Sequence, residues 1–273
     1  MKAKIDPKLI KRYNITNIQP VKKRNGGING VGNVSCCGYI GKQKVKIYTT
    51  YRKDLPALRK KLEDVKFVNG VRFPPLVATK GRFVVERWID GPNLTQIPLK
   101  HTKQLVPTMK DFLFEFKNVT IPDYDSSYDH LICFYTAIKK RKDKYEIIAD
   151  RWLQEYSEQF PIPKHLRHGD LHEANVVLNN DTMYIVDNDG ISLDNGWFLS
   201  WRKSFLYSTR FSPRPFQELY PATHQEIEQK YYGPITARFV ELTQFLRQSF
   251  FQRDLINYNN KKLTPQQVVD KFK

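Results

Sequence analysis

Over the first ninety residues apolar side chains come in short alternating runs. Beyond them apolar side chains return every three or four positions, so the period changes from that of strands to that of helices. Ile15 to Val21, Val34 to Ile40 and Lys44 to Thr49 are strand candidates separated by Gly-containing turns. Phe73 to Ala78 and Arg82 to Ile89 are two more. Between these sets, Pro56 to Asn69 carries Leu58, Leu62, Val65 and Phe67-Val68 as a helical stripe, with Gly70 as its stop. Lys103 to Phe116 and His130 to Gln159 continue the helical spacing until Pro161-Ile162-Pro163 breaks it. Met183 to Val186 is an isolated apolar strand, and Ile235 to Phe251 a further core helix. Lys261 to Lys273 reads as a terminal helix capped by Thr264, with Pro265 at its first position. The fold class is therefore α+β, with a small β-rich lobe over 1–90 and a larger, mainly helical lobe over 91–273.

Composition sharpens this picture. The chain has 273 residues, 40% of them hydrophobic, with 17 Phe and 15 Tyr, enough for a sizeable core. No run of about 18 apolar residues is present, and Met1-Lys2-Ala3-Lys4-Ile5-Asp6 lacks the apolar centre of a secretory signal. Cys36, Cys37 and Cys133 form neither a disulfide framework nor a zinc set, which suits a reducing cytoplasm. The formal charge is +17, with basic clusters at Lys22-Lys23-Arg24, Arg59-Lys60-Lys61 and Lys139-Lys140-Arg141-Lys142. Such an excess favours an anionic partner. Without a nucleic-acid-binding motif, an acidic membrane face ranks above nucleic acid.

The strongest chemical signal is His168-Gly169-Asp170-Leu171-His172-Glu173-Ala174-Asn175, followed after the apolar strand by Asp187-Asn188-Asp189-Gly190. Asn175 lies five residues after Asp170, and Asp187 twelve after Asn175. Phosphoryl transfer needs a base for the acceptor hydroxyl and hard oxygen ligands that hold Mg²⁺ against ATP phosphates. The text resembles the small-molecule branch of the kinase-like fold, which includes aminoglycoside phosphotransferases and choline kinases. Those enzymes have H-G-D-x-H-x-x-N where protein kinases have H-R-D. The resemblance implies a bilobal fold, Asp170 as catalytic base, and Asn175 and Asp187 as Mg²⁺ ligands. His172 is read as bracing the loop, and Asp189 as bracing it or holding a second metal through water. Asp187-x-Asp189 with Gly196-Trp197 and the stretch from Trp201 to Ser208 is similar, more loosely, to bacterial lipopolysaccharide-core kinases acting on Kdo or heptose.

The beginning of the chain supplies the nucleotide half. Gly26, Gly27, Gly30 and Gly32 fall between the first two strands, where glycines let backbone N–H groups approach phosphate oxygens. Lys44 and Lys46 share a face of the next strand, and the resemblance favours Lys46 as the phosphate lysine, paired to Glu63 on the following helix. The resemblance further implies that Arg87, Trp88 and Ile89 form a hinge that presents backbone groups to adenine.

After the metal turn, Trp197, Trp201, Arg202, Lys203, Arg210 and Arg214 suit a sugar ring bearing phosphate or carboxylate. The expected activity is ATP-dependent transfer to a hydroxyl of an anionic glycan, such as a lipopolysaccharide core. Such an enzyme would be cytoplasmic, in peripheral contact with the inner membrane face. A soluble kinase of a small alcohol is the second reading, for which Asp123, Asp125 and Asp129 supply acidity. A nucleotide-binding module without turnover is the third. Asn188 replaces the Phe of D-F-G, and no A-P-E follows, which argues against a protein kinase.

Overall fold

The computed structural model describes residues 7–21, 34–50, 54–67, 70–121, 124, 131, 135, 139, 146–159, 162–198, 221–236, 238–240, 242–243, 246, 257–258 and 261–262. The Gly-rich stretch with Gly27, Gly30 and Gly32, the segment from Trp201 to Arg214, Cys133 and the acids Asp123, Asp125 and Asp129 lie outside them. Packing divides the chain into two units, neither of them a continuous stretch. One comprises Met1–Tyr124 with His168–Ser192, and the other Asp125–Arg167 with Leu193–Lys273.

The first unit opens with helix α1 (Pro7–Arg12) and strands β1 (Ile15–Pro20), β2 (Val34–Ile40) and β3 (Gln43–Thr49). Helix α2 (Leu55–Lys61) and strands β4 (Val71–Arg72), β5 (Leu76–Lys80) and β6 (Phe83–Arg87) follow. Next come helices α3 (Leu99–Gln104) and α4 (Val106–Asn118). The second unit supplies α5 (Glu146–Glu158) and β7 (His165–Arg167). The chain then returns to the first unit with β8 (Val176–Asn179) and β9 (Thr182–Ile185), before β10 (Ser192–Asp194).

Strands β1, β2, β3, β6 and β5 form an antiparallel sheet in that order. Alternation buries Val45 and Ile47 of β3 against Phe83 and Val85 of β6, with Leu9 and Ile15 closing that side. Gly38 on β2 is required for packing, because a Cβ there would meet the Thr16 carbonyl oxygen at 3.0 Å. A second sheet, β4–β9–β8, joins a strand from the first hundred residues to the hairpin after the loop 168–175, β4 running parallel to β9. Backbone bonds complete the join: Leu178 N–H donates to the Pro92 carbonyl at 2.9 Å, and Asn179 Nδ2 to that of Asp90 at 2.7 Å.

Most predicted strands are present within a residue or two, the one expected over 73–78 is shifted to Leu76–Lys80, and the helix expected over 56–69 is α2, which stops at Lys61. Tertiary packing overrides the helical stripe here. Phe67 leaves it to meet Phe73, Phe112 and Phe116 edge-on, with ring centroids 5.7, 5.1 and 5.9 Å away. The helix expected over 103–116 is split into α3 and α4 at Leu105. The expected terminal helix does not begin at Lys261, since Lys261–Lys262 is extended and pairs with Asn257–Tyr258; the rest of it lies outside the described residues.

In the second unit Trp152 of α5, Tyr156 and Phe239 stack on one another in a three-ring cluster, and the Trp152 indole N–H donates to Thr243 Oγ1 at 2.6 Å. Arg167 and Asp194 form a buried ion pair there at 2.9 Å. No helix among the described residues is long and apolar enough to cross a membrane.

Phe112 is fully buried and lies in the middle of the aromatic cluster of the first unit. Phe112→Ala is expected to lower the unfolding free energy by about 3–5 kcal/mol, read from the denaturant midpoint. A midpoint shift near zero would show that the cluster carries no core.

Candidate active site

Two short loops of the first unit build the site, and a hairpin sets their register. Val176 pairs with Ile185 and Asn179 with Thr182, leaving a turn at Asn180-Asp181 in which Asn180 takes a left-handed backbone (φ 50°). One step outward, Val186 N–H donates to the Asn175 carbonyl at 2.8 Å. The twelve-residue interval from Asn175 to Asp187 thus closes on itself, and both side chains emerge at the open end of the hairpin.

The two loops approach backbone to backbone. A Cβ on Gly169 (φ 81°) would lie 2.6 Å from the Gly190 carbonyl oxygen, and one on Gly190 would lie 2.8 Å from that of His168. Glycine at both positions is what allows the loop 168–175 and the turn 187–190 to touch. Asp187 itself is left-handed (φ 63°, ψ 50°), a conformation that costs a non-glycine residue and is found most often where function holds it.

Lys46 Nζ reaches Asp187 Oδ1 at 3.0 Å. Burial lowers the lysine's pKa, but Asp187, Glu86 and Asp189 outweigh it and hold the ammonium above its usual range. Burial likewise raises Asp187, and Lys46 overrides it to leave the carboxyl below the usual value, with Asp170 near enough to push the other way. Lys44, the other candidate, sits over the Trp88 ring at 4.4 Å, so the structure brings Lys46 rather than Lys44 to the metal turn.

Asn175 Nδ2 donates to the Asp170 carbonyl at 2.8 Å, which occupies the amide nitrogen and turns the amide oxygen into its available ligand atom. His172 braces this loop as expected. Its Nδ1 accepts from Ala174 N–H at 3.2 Å, and its Nε2 lies 3.5 Å from Asp170 Oδ2. The same Nε2 lies 3.2 Å from Asn175 Nδ2, and the hydrogen bond to Asp170 raises the His172 pKa. Asn175 Oδ1 and the Asp187 carboxylate are hard oxygen donors, the set that suits Mg²⁺ completed by phosphates. Among the described residues no group of three or more His, Cys, Asp or Glu forms a metal cage by itself.

One expectation is corrected. Glu63 is not beside Lys46: it follows α2, and its Oε1 accepts from Leu76 N–H at 3.0 Å. The helix ends before Glu63 could turn inward. Over 87–89, Arg87 N–H donates to the Pro75 carbonyl at 2.8 Å and Trp88 N–H to that of Lys44 at 3.0 Å, so these two N–H groups are already engaged. Ile89 is left as the hinge residue whose N–H has no backbone partner among the described residues.

The sequence reading missed a buried network behind the site. Glu86 Oε1 accepts from Arg59 Nε at 2.8 Å, Tyr48 Oη at 3.0 Å and Asn188 Nδ2 at 3.4 Å. Asn188 Oδ1 in turn meets His168 Nε2 at 3.2 Å. The signals were in the text: Glu86 interrupts an apolar strand. Arg59 also shares the i, i+3, i+4, i+7 stripe of Leu55, Leu58 and Leu62.

No family model and no curated protein matches the sequence. Solved structures match through their fold. ADP-bound aminoglycoside phosphotransferase APH(2'')-Ib gives a TM-score of 0.58 at 15% identity, covering 100% of this chain and 95% of its own. Aminoglycoside phosphotransferase APH(4)-Ia gives 0.60 at 13% identity, covering 90% and 91%. Spectinomycin phosphotransferase APH(9)-Ia, in complex with ADP and spectinomycin, gives 0.53 at 15%, covering 100% and 93%. The chain has the α+β kinase-like fold of the aminoglycoside phosphotransferase type.

Gly190→Ala is expected to force the two loops apart and to cost about 1–3 kcal/mol of stability in thermal or denaturant unfolding. His168 yields a pH signature. Burial is the main cause that depresses its pKa, so the native imidazole stays neutral while the unfolded one binds a proton below about pH 6.5. The unfolded chain then holds more protons, and stability falls as pH drops from about 7 to 5. His168→Gln should flatten that fall; an unchanged slope would mean that His168 does not contribute to it.

Proposed function

We propose that this protein is a phosphotransferase that moves the γ-phosphate of ATP, with Mg²⁺, to a hydroxyl of a sugar or glycan acceptor. The observation that carries the reading is the approach of Lys46 to Asp187 at 3.0 Å beside a loop that orders Asp170 and Asn175. Lys46 binds the α- and β-phosphates, beneath backbone N–H groups of the stretch containing Gly27, Gly30 and Gly32. Adenine sits on the hinge near Ile89. Mg²⁺, with Asn175 and Asp187 as its protein ligands, would supply charge neutralisation for the phosphates. Asp170 accepts the hydrogen bond of the acceptor hydroxyl, orients its oxygen in line with the γ-phosphorus and takes its proton as the bond to phosphorus forms. His172, donating to Asp170, holds that carboxylate in place.

Charge supports an anionic acceptor. A net +17 repels polycationic amino sugars and attracts phosphorylated or carboxylated glycans, of which a lipopolysaccharide core at the cytoplasmic membrane face is one. A small-molecule acceptor is the second reading, favoured by fold neighbours whose structures contain spectinomycin, hygromycin B or streptomycin.

A screen of acceptors with γ-labelled ATP tests the proposal. Transfer to acidic glycans and not to amino alcohols is expected, and the reverse preference would select the small-molecule reading. Asp170→Asn should lower turnover by roughly 10²–10⁴-fold while ATP binding persists, whereas Asp187→Asn should remove Mg²⁺-dependent ATP binding. Binding of Mg²⁺ and ATP with no transfer to any acceptor would leave a nucleotide-binding module.

A further inference from the structure

Helix α2 contains no acidic residue; its buried face presents Arg59, which is only 1% exposed. The carboxylate nearest Lys46 by sheet register is Glu86, its direct partner across the β3–β6 ladder, so the two side chains leave the sheet on the same face. Glu86 is also 1% exposed. Its Oε1 takes every bond described above, from Arg59, Tyr48 and Asn188, while its buried Oε2 has no donor among the described residues. A buried carboxylate oxygen without a donor is costly and rare, and marks a place where a donor arrives in another state of the protein. Arg59 and Tyr48 both bond to Oε1, which leaves Oε2 for a further cation, and the Glu86 charge already acts on Lys46.

We propose that Glu86 is the positioning residue for Lys46: its unused Oε2 receives the Lys46 ammonium when a nucleotide-bound cation takes over Asp187. The usual arrangement of such folds is thereby inverted, with the helix supplying a cation and the strand supplying the acid. The proposal rests on the phosphotransferase reading for its purpose, though not for its geometry.

Two experiments test it, and the first needs no nucleotide. With the Asp187 charge removed, a crystal structure of Asp187→Asn is expected to have Lys46 Nζ about 3 Å from Glu86 Oε2. Lys46 pointing into solvent, or resting on Glu63, overturns the proposal. The second uses the double variant Arg59→Met/Glu86→Gln, which removes both buried charges together so that no guanidinium is left stranded. Its melting temperature should stay within a few degrees of wild type while its affinity for Mg²⁺ and ATP, read by calorimetry, falls about tenfold. A folded double variant with wild-type affinity, or a loss confined to Glu63→Gln, overturns the proposal. A wild-type protein that binds no nucleotide defeats the phosphotransferase reading instead, and the Asp187→Asn structure then still decides between Glu86 and the alternatives.

Discussion

The contact between Lys46 and Asp187 joins residues 141 positions apart in sequence and ties the five-stranded sheet to the hairpin that carries the catalytic loop. The features around it make that contact possible. The β8–β9 register delivers Asp187 to the open end of its hairpin, and the paired glycines at 169 and 190 let the neighbouring loop come close. β4, pairing with β9, and the bonds from Asp90 and Pro92 to β8 fasten the same hairpin to the earlier chain. The ion pair is only half-buried, so its worth to folding is modest; its value lies in where it holds the two groups.

The interior behind it is more demanding. Arg59, Glu86, Tyr48, Asn188 and His168 form one connected polar chain, and all are nearly inaccessible to water. A carboxylate and a guanidinium at such depth tend to compensate one another rather than add stability. What the chain does provide is directional constraint, because the side chain of Asn188, next to Asp187, is gripped from both ends. Burial and its phenol bond to Glu86 raise the Tyr48 pKa, so the hydroxyl remains a donor at ordinary pH.

Legibility from sequence followed the range of the interactions. Strands with clear alternation and loops with fixed spacing were readable, because period and turn chemistry are local. The convergence of 170, 175 and 187 could be anticipated from a pattern confined to twenty consecutive residues. Partners set by tertiary packing are not: Glu63 belongs to the predicted helix after Lys46, whereas α2 stops at Lys61 and Phe67 turns to the aromatic cluster. Arg59 looked like one of three surface cations because composition obscured its place on the apolar stripe. The split of α3 from α4 does have a local signal, Pro107 in the first turn of α4.

The left-handed backbone at Asp187 has a consequence for how this position can vary. Few side chains accept that geometry cheaply, Asn and Asp foremost among them, with Gly freer still. Replacement by a branched or longer acid would retain the negative group yet distort the peptide that carries it, and glycine would keep the peptide while discarding the group. The turn therefore filters its occupant twice, once through conformation and once through chemistry, and aspartate passes both.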